Sequence, residues 1–490
     1  MRQQHQANVQ NKVHPLDKFA RVCDNVKKRI VPPLQVQHQV RARAEQIRRA
    51  VEEECKKAGL SAEVRLDGSV AKDTWIRDYV DADIFMRVSP ELTKKQLQDV
   101  CLPIARRALR PHKIVERFAE HPYIESIVEF PTGSLRVNVV PCYRVEKGKW
   151  LSATDRTPYH TEYVRAHLSS PQRDEVRLLK AFMRGIGAYG ADIRTGGFSG
   201  MICETLIIAR ENFQMVLKEF AGWKEGQLID VENYYASRGD EIRRIFIDPL
   251  VVIDPVDKGR NLGGAVRSTQ LWNFAAASRR FLEKPSASFF TERMVKPITK
   301  MEFQRAIAKR GSAILCIKMN RIDAVVDIVW SQLFRTQRAL VNLLENSDFQ
   351  VIRSSAWTDE SSLSVLLFEL VSHELSMSRR HRGPPVSRLL ESSSFLSKHL
   401  RDRDTVSGPW IEDDRWYVEK RRTVVSAHAL LAPVLRSGGS NVGVAPLVIG
   451  TARKSAKILE GNEIEALLSV NREFAKFMRV FLAGRPVWLV

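Results

Sequence analysis

The chain has 490 residues, of which 77 are Lys or Arg and 57 are Asp or Glu, so its formal net charge is +20 at pH 7. This length predicts two to four domains with buried cores, and the large positive charge favours a polyanionic partner, with RNA as the natural candidate. The six cysteines occur singly, without a Cys-x-x-Cys pair, which excludes zinc ribbons and favours a cytoplasmic protein, and no apolar run reaches the roughly 18 residues of a membrane span.

The first elements build up to a tight turn. Residues 1–37 mix polar and basic residues with prolines, and we predict a mobile or loosely helical extension. From Val40 to Ala58 apolar residues recur every three or four positions, which predicts an amphipathic helix. Alternation over Ala62–Leu66 then predicts a strand that runs into a turn at Gly68-Ser69.

The segment Asp81–Val88 carries the main chemical signal. Its apolar residues fall on every second position, which predicts a strand with Asp81 and Asp83 on one face. Mg²⁺ prefers one or two carboxylates together with substrate phosphates, and the Gly68-Ser69 turn offers backbone N–H groups and a hydroxyl to a triphosphate. Asp-x-Asp alone is more often a solvated strand edge, but the ordered combination predicts metal-dependent nucleotidyl transfer.

The next elements complete a small mixed α/β head over residues 40–145. Composition predicts a helix over Pro90–Leu109, and two β-rich runs, Tyr123–Phe130 and Leu135–Val140, are separated by a four-residue turn. Residues 146–275 are predicted to be mainly helical.

The C-terminal half is predicted to mix helices and strands. Ala313–Ile317 and Ser364–Leu370 have the character of strands, and Glu463–Leu482 that of a closing helix. Residues 376–425 are strongly basic, and the Gly- and Ser-rich segment Arg436–Gly450 is predicted to be a loop.

Several longer segments match those of a known family and occur in the order found in that family: Gly68–Trp75, Val139–Val145, Ala153–His160, Asp174–Lys180, Gly197–Gly200 and Asp248–Asp257. In these segments the chain resembles the nucleotidyltransferase superfamily of DNA polymerase β and, in detail, the archaeal class I CCA-adding enzymes. The resemblance implies a multidomain α/β and α+β protein with a nucleotidyltransferase-type mixed-sheet head, a helical neck, a body and a ferredoxin-like α+β tail.

The resemblance also implies domain boundaries. We place them as follows: N-terminal extension 1–37, catalytic head 38–145, helical central neck 146–275, first part of the body 276–345, RNA-binding tail 346–436 and second part of the body 437–490.

The function that the resemblance implies is addition and repair of the 3′-terminal CCA of tRNA from CTP and ATP, without a nucleic-acid template and with release of pyrophosphate. The expected partners are the tRNA acceptor stem and 3′ end, with no membrane. The expected cofactor is Mg²⁺, as two ions, with Mn²⁺ as an alternative. The sequence does not determine the oligomeric state, and a homodimer stays open.

One position departs from the family pattern. Asn138 stands where the family has an aspartate that completes the metal site formed by Asp81 and Asp83. An amide oxygen can coordinate Mg²⁺, but it is neutral and a poor proton acceptor. Three outcomes stay open: slow catalysis, recruitment of another carboxylate such as Glu129, or a catalytically impaired tRNA-binding homologue. We favour retained activity.

Further roles follow from matched positions. Ser69 and Lys72 are expected to meet the triphosphate, and Lys72 stands where the family usually has arginine. His160, Lys180 and Tyr189 match nucleotide-contacting residues of the family, although His160 and Tyr189 also suit structural roles, and Arg260 is a weak candidate for base recognition. A poly(A) polymerase-like nucleotidyltransferase is the rival enzyme, because it shares the Gly-Ser and Asp-x-Asp motifs.

Overall fold

The computed structural model describes residues 15–118, 121–131, 133–236, 242 and 244–489. The chain divides into two compact units, Met1–Arg293 with Pro486–Val490, and Met294–Arg485. Both units contain α-helices and β-sheets, so the predicted α/β and α+β multidomain class is confirmed. No helix in the described ranges combines the length and the apolar character that crossing a bilayer would require.

The N-terminal unit combines one large sheet with a helical region. Its helices are α1 Pro15–Ile30, α2 Leu34–Lys57, α3 Gly68–Lys72, α4 Lys94–Ala108, α5 Thr157–His167, α6 Ser170–Gly185, α7 Gly200–Arg210, α8 Phe213–Ala221 and α9 Ser268–Glu283. Its strands are β1 Ala62–Asp67, β2 Asp81–Val88, β3 Ile114–Phe118, β4 Pro122–Phe130, β5 Gly133–Tyr143, β6 Leu228–Ile229, β7 Val251–Asp254 and β8 Asp257–Asn261.

Five strands form the head sheet in the order β1-β2-β5-β4-β3, with β2 and β5 parallel and the other neighbours antiparallel. Asp67 on β1 lies opposite Asp83 on β2. Asn138 on β5 pairs with Asp83 on one side and with Glu125 of β4 on the other. Because cross-strand partners share a face of the sheet, these four polar side chains form one row across four strands.

The opposite face of the sheet is covered by helices. The predicted periodicity of α2 is confirmed, since Val40, Ala44, Ile47, Val51 and Cys55 are all buried. They join the alternate apolar residues of the strands in one core with α4. This packing places β2 and β5 side by side, with their polar row on the face opposite α2 and α4.

The predicted loose extension is a regular helix over Pro15–Ile30. Cys23 and Val26 are buried in the helical core of the N-terminal unit, and Lys27 donates a 2.6 Å hydrogen bond to Glu175 of α6. The apolar residues of α1 recur at helical spacing, but many basic residues lie between them. The average composition of the segment therefore does not show that the helix is amphipathic. The rest of the predicted extension, residues 1–14, lies outside the described residues.

The C-terminal unit has two sheets. Its helices are α10 Lys300–Arg310, α11 Val326–Asn346, α12 Leu389–His399, α13 Ala427–Ser437, α14 Pro446–Ser455, α15 Asn462–Val470 and α16 Arg472–Ala483. Its strands are β9 Ala313–Asn320, β10 Val351–Thr358, β11 Leu363–Leu370, β12 Ser378–Pro385, β13 Thr405–Glu412, β14 Arg415–Arg421 and β15 Lys457–Leu459.

The larger of these sheets is antiparallel, with the order β10-β11-β9-β15. With α11 and α14 as crossovers it follows the βαββαβ pattern of a ferredoxin-like fold. Its strands come from the predicted tail, 346–436, and from both predicted parts of the body, 276–345 and 437–490. The ferredoxin-like sheet is therefore built from all three segments.

Two local predictions differ from the structure. The predicted loop Arg436–Gly450 is shorter, because α14 begins at Pro446, where proline suits the first turn of a helix. The single closing helix is instead two, since the Asn471 side chain accepts a hydrogen bond from Phe474 N and caps a new helix.

Candidate active site

Asp81 and Asp83 lie at the start of β2, on the face of the head sheet opposite α2 and α4. Asp83 is packed against the first residue of α3: a Cβ on Gly68, whose φ is +72°, would lie 2.1 Å from Asp83 Oδ2. Only glycine therefore allows the turn to approach the carboxylate so closely. The predicted closeness of the Gly-Ser turn and the Asp-x-Asp motif is present in the structure.

The environment of the two carboxylates disfavours their charge. Burial raises the pKa of Asp83 to about 6, and the Asn138 hydrogen bond opposes this only in part. The pKa of Asp81, a half-exposed side chain, is also raised by desolvation, and Arg136 counteracts the shift. Neighbouring carboxylates whose pKa values are raised by desolvation are typical of a metal-binding or catalytic site.

Asn138 takes the place predicted for the third ligand. Its Nδ2 donates a 2.9 Å hydrogen bond to Asp83 Oδ1. Its Oδ1 is buried and has no hydrogen-bond partner among the described residues. An orphaned amide oxygen beside two carboxylates is a set of hard oxygen donors that fits a divalent cation.

The number of acidic ligands is nevertheless small. Among the described residues, no group of three His, Cys, Asp or Glu side chains is arranged to hold a metal ion. The site thus offers two carboxylates and one amide oxygen, as the Asn138 departure in the sequence predicts.

Two further carboxylates in the polar row were not singled out from the sequence. Asp67 is fully buried, beside Arg65 at 3.4 Å. Glu125 lies directly opposite Asn138, whereas Glu129, the alternative considered from sequence, lies opposite Ser134 near the end of the hairpin. A period-two pattern identifies the face of each residue, but the cross-strand register that makes these residues neighbours is a long-range property.

Lys72 and Lys180 meet at a buried glutamate. Glu204 of α7 accepts hydrogen bonds from Lys72 Nζ at 2.6 Å and from Lys180 Nζ at 2.9 Å. The Thr74 hydroxyl donates a third, at 2.6 Å. Burial disfavours the Glu204 charge, but Lys180 and Lys72 outweigh it and lower the pKa of this carboxyl to about 2.

Lys72 and Lys180 differ in how many of their N–H bonds are used in hydrogen bonds within the protein. Lys180 Nζ donates to Glu204, to Thr74 O and to Thr74 Oγ1, which accounts for all three of its N–H bonds. Within the described part of the chain, Lys72 Nζ donates one hydrogen bond, to Glu204, and keeps two N–H bonds for other acceptors. The sequence did not mark Glu204, which reads as one polar residue in an apolar helix.

His160 and Arg260 converge on Asp254. His160 Nε2 lies 2.9 Å from both carboxylate oxygens, and Arg260 donates to Oδ2 at 3.0 Å. Burial lowers the pKa of His160, against the effect of Asp254. The structure therefore gives His160 a buried partner, as its structural interpretation predicts, while neighbouring Thr161 accepts a hydrogen bond from Gly68 N at 3.3 Å.

The remaining predicted residues lie around this centre. Ser69 follows Gly68 in α3, and its carbonyl accepts a hydrogen bond from Thr74 N at 3.0 Å. The Tyr189 hydroxyl lies near Gly200, where a Cβ would approach it to 3.2 Å and would also lie 3.6 Å from Lys180 Nζ. Tyr189 is thus adjacent to the buried lysine cluster.

A cavity of about 840 Å³ opens beside Asp81. Arg136 and Arg184 supply positive charge to its wall, and the half-exposed Tyr79 stacks under the Arg184 guanidinium at 3.3 Å. A cationic, aromatic-lined cavity next to a pair of carboxylates has the size and chemistry for a nucleotide.

Comparisons with known proteins agree with this arrangement. The sequence profile of the tRNA nucleotidyltransferase second domain matches residues 174–291, and that of the CCA-adding enzyme C-terminal domain matches residues 310–445. The CCA-adding enzyme of Haloarcula marismortui is 31% identical over 465 residues, covering 92% of this chain and 96% of the relative. The CCA-adding enzyme of Methanopyrus kandleri is 32% identical over 481 residues, which cover 95% of this chain and 97% of the relative. The chain therefore belongs to the family of CCA-adding enzymes, the tRNA nucleotidyltransferases.

Proposed function

We propose that this enzyme builds and repairs the 3′-terminal CCA of tRNA from CTP and ATP with Asp81 and Asp83 as its metal ligands. The observation that carries the assignment of residues is the site on β2: two carboxylates on one face, one half-exposed and one packed against Gly68. We propose Mg²⁺ as the cofactor, bound as two ions, with Mn²⁺ as a substitute.

The divalent ions, when bound, would favour loss of the 3′-hydroxyl proton, polarise the α-phosphate and stabilise the leaving pyrophosphate. Asp81 and Asp83 hold the cations, and the unpartnered Oδ1 of Asn138 supplies a neutral oxygen beside them. Lys72 directs its two remaining N–H bonds to phosphate oxygens of the triphosphate, to which the Ser69 hydroxyl is also assigned. Lys180 acts mainly by holding Thr74 and Glu204, since a direct phosphate contact would break one of its internal hydrogen bonds.

Base selection is assigned to the region around Asp254. Arg260, 38% exposed and oriented by Asp254, offers N–H donors to a cytosine or adenine edge. His160 is 7% exposed and acts through Asp254 in this proposal. Tyr189 supports the lysine cluster from the side of Gly200.

The acceptor stem is assigned to the basic tail. Strand β12 carries Arg379, Arg380 and Arg382, and Arg380 lies over the Tyr417 ring at 3.7 Å. Arg380 and Arg382 emerge on one face of β12, and their guanidinium groups suit phosphate contacts along an RNA backbone.

The test is extension of a tRNA that lacks its 3′ end, with CTP and ATP supplied singly and together. We expect two cytidines from CTP alone and a complete CCA from both. Asp83→Ala is expected to abolish incorporation, because the remaining Asp81 and Asn138 cannot hold the cations. Long adenosine tracts from ATP alone would favour the poly(A) polymerase-like alternative instead.

A second candidate function is tRNA binding without catalysis, and the neutral Asn138 is the observation that favours it. Under the enzymatic proposal, wild-type protein extends tRNA and Asn138→Asp raises turnover while tRNA affinity is unchanged. Binding without any extension by the wild type, and gain of extension in Asn138→Asp, would identify a binding protein that has lost its chemistry.

A cytoplasmic location is a further prediction, and whether the chain forms a homodimer stays open. Sedimentation equilibrium of the full chain, with and without tRNA, measures the oligomeric state directly. A species of one chain at all concentrations would exclude the homodimer.

A further inference from the structure

A nucleotidyl-transfer site with two carboxylates and an amide carries less negative charge than its task requires. Asp81 and Asp83 provide two charges, and Asn138 adds none. Two divalent cations and a triphosphate need acidic ligands whose charge attracts the metal and orients it. Since the polar row of the sheet continues past Asn138, the compensating group is to be sought there.

Glu125 is the next residue in that row. It is the cross-strand partner of Asn138, so the two side chains emerge side by side on the face that carries Asp83. Its side chain is only 14% exposed, so the charge acts in a medium of lower dielectric than water. Its influence already reaches the site, because it opposes ionisation of Asp81.

Glu125 and Asp81 both lie near the positively charged side chain of Arg136. The Arg136 guanidinium lies between them, with Nη1 3.7 Å from Asp81 Oδ1 and Nε 3.9 Å from Glu125 Oε2. Arg136 is 53% exposed and contacts both carboxylates only at ion-pair distance. A half-exposed guanidinium held loosely between two carboxylates marks a position where another cation can be accommodated.

We propose that Glu125 supplies the third negative charge of the cation site, in place of the carboxylate that position 138 lacks. This inference rests on the proposed metal role of Asp81 and Asp83. Glu125 would act on bound cations as a positioning charge across Asn138, and Arg136, which also lines the cavity beside Asp81, would give up its place between the two carboxylates. The Arg117 contact, at 2.9 Å from Glu125 Oε1, holds the carboxylate in the row from its outer side.

Two other acidic residues fit this role less well. Asp67 stands on the far side of Asp83 and is fully buried against Arg65, so it has no open path to the cavity. Glu129 is on the same strand as Glu125 and on the same face, but it is exposed and lies opposite Ser134. Glu129 therefore provides a matched control.

The test measures metal affinity rather than turnover. Mn²⁺ is titrated into the full-length protein with saturating α,β-methylene-CTP, and free Mn²⁺ is counted by electron paramagnetic resonance. Removing one charge near a divalent cation is expected to weaken Mn²⁺ binding about tenfold in Glu125→Gln, with Glu129→Gln equal to the wild type. In the Asn138→Asp background, Glu125→Gln is expected to cost less than threefold, because the carboxylate has returned to position 138.

The outcomes separate the inference from the proposed function. Equal Mn²⁺ affinity in Glu125→Gln and Glu129→Gln would overturn the role of Glu125, as would a full effect of Glu125→Gln in the Asn138→Asp background. The Asp83→Ala variant reports on the site itself: unchanged Mn²⁺ binding there would refute the metal site. Equal tRNA affinities of the two Gln variants are expected, since neither substitution alters a residue of the basic tail.

Discussion

The buried cluster around Glu204 gives the largest stability effect that we expect from a single charge. The Glu204 side chain is 1% exposed and faces two ammonium groups, with Lys72 9% and Lys180 4% exposed. Glu204→Gln keeps the shape but leaves both ammonium groups without a carboxylate. Breaking a buried pair in this way costs about 3–5 kcal/mol, because the remaining charge is desolvated and uncompensated.

The control is Glu219→Gln in the same unit. Glu219 is likewise ion-paired, but with a single cationic side chain, that of Arg210 at 2.7 Å. That pair is 17% and 34% exposed, and the expected loss is about 1 kcal/mol. Calorimetry of the full chain should therefore give a fall in the melting temperature of the N-terminal unit of roughly 6–20 °C for Glu204→Gln and roughly 2–4 °C for the control.

The effect has a defined pH dependence. The pKa of Glu204 is lowered in the folded state, so its stabilisation is fully present above the unfolded value of 4.5 and is lost as the pH falls through about 2. The difference between Glu204→Gln and wild type should be constant from pH 6 to pH 8. Equal melting temperatures of the Glu204→Gln and Glu219→Gln variants would refute the assignment of Glu204 as the buried counter-charge.

Three further predictions concern the site and its surroundings. Asp83→Asn should raise the free energy of unfolding of the metal-free protein at pH 8 by about 2 kcal/mol, measured by denaturant unfolding in EDTA. The pKa of Asp83 is raised to about 6, so its ionised form destabilises the folded protein, and partial exposure of the side chain reduces this effect. An unchanged or lower free energy of unfolding would contradict this. Asp254→Ala should lower discrimination between CTP and UTP about tenfold or more in kcat/KM, since Arg260 loses its 3.0 Å partner, and an unchanged ratio would exclude Arg260 from base recognition. Deletion of residues 1–30 should lower the melting temperature measurably and increase dye binding to apolar surface, because α1 buries Cys23 and Val26; an unaltered melting curve would show that the helix is dispensable.

The local part of the fold could be predicted from the sequence. The period-two pattern of Asp81–Val88 indicates the strand, and its register with β5 brings Asp83 beside Asn138 as the matched family pattern implies. The amphipathic pattern from Val40 indicates α2, which is confirmed to the residue in its buried positions. These signals depend on neighbours a few positions apart along the chain.

The rest depends on contacts between distant residues. Glu125 becomes the neighbour of Asn138 only through strand pairing, and Glu204 meets Lys72 across 132 residues. Helix α1 is strongly amphipathic, yet its basic residues make it resemble a solvated tail in average composition. No pattern within a short window reports such partners, because the register and the packing of helices are set by the whole unit.

The central claim is that two acidic side chains of β2 hold divalent cations against a bound triphosphate. The most direct measurement is anomalous scattering from a crystal of the protein soaked with CTP and Mn²⁺. We predict manganese peaks about 2.0–2.2 Å from oxygens of Asp81 and Asp83 and in contact with the triphosphate. Bound CTP with no anomalous peak at these two carboxylates would contradict the account.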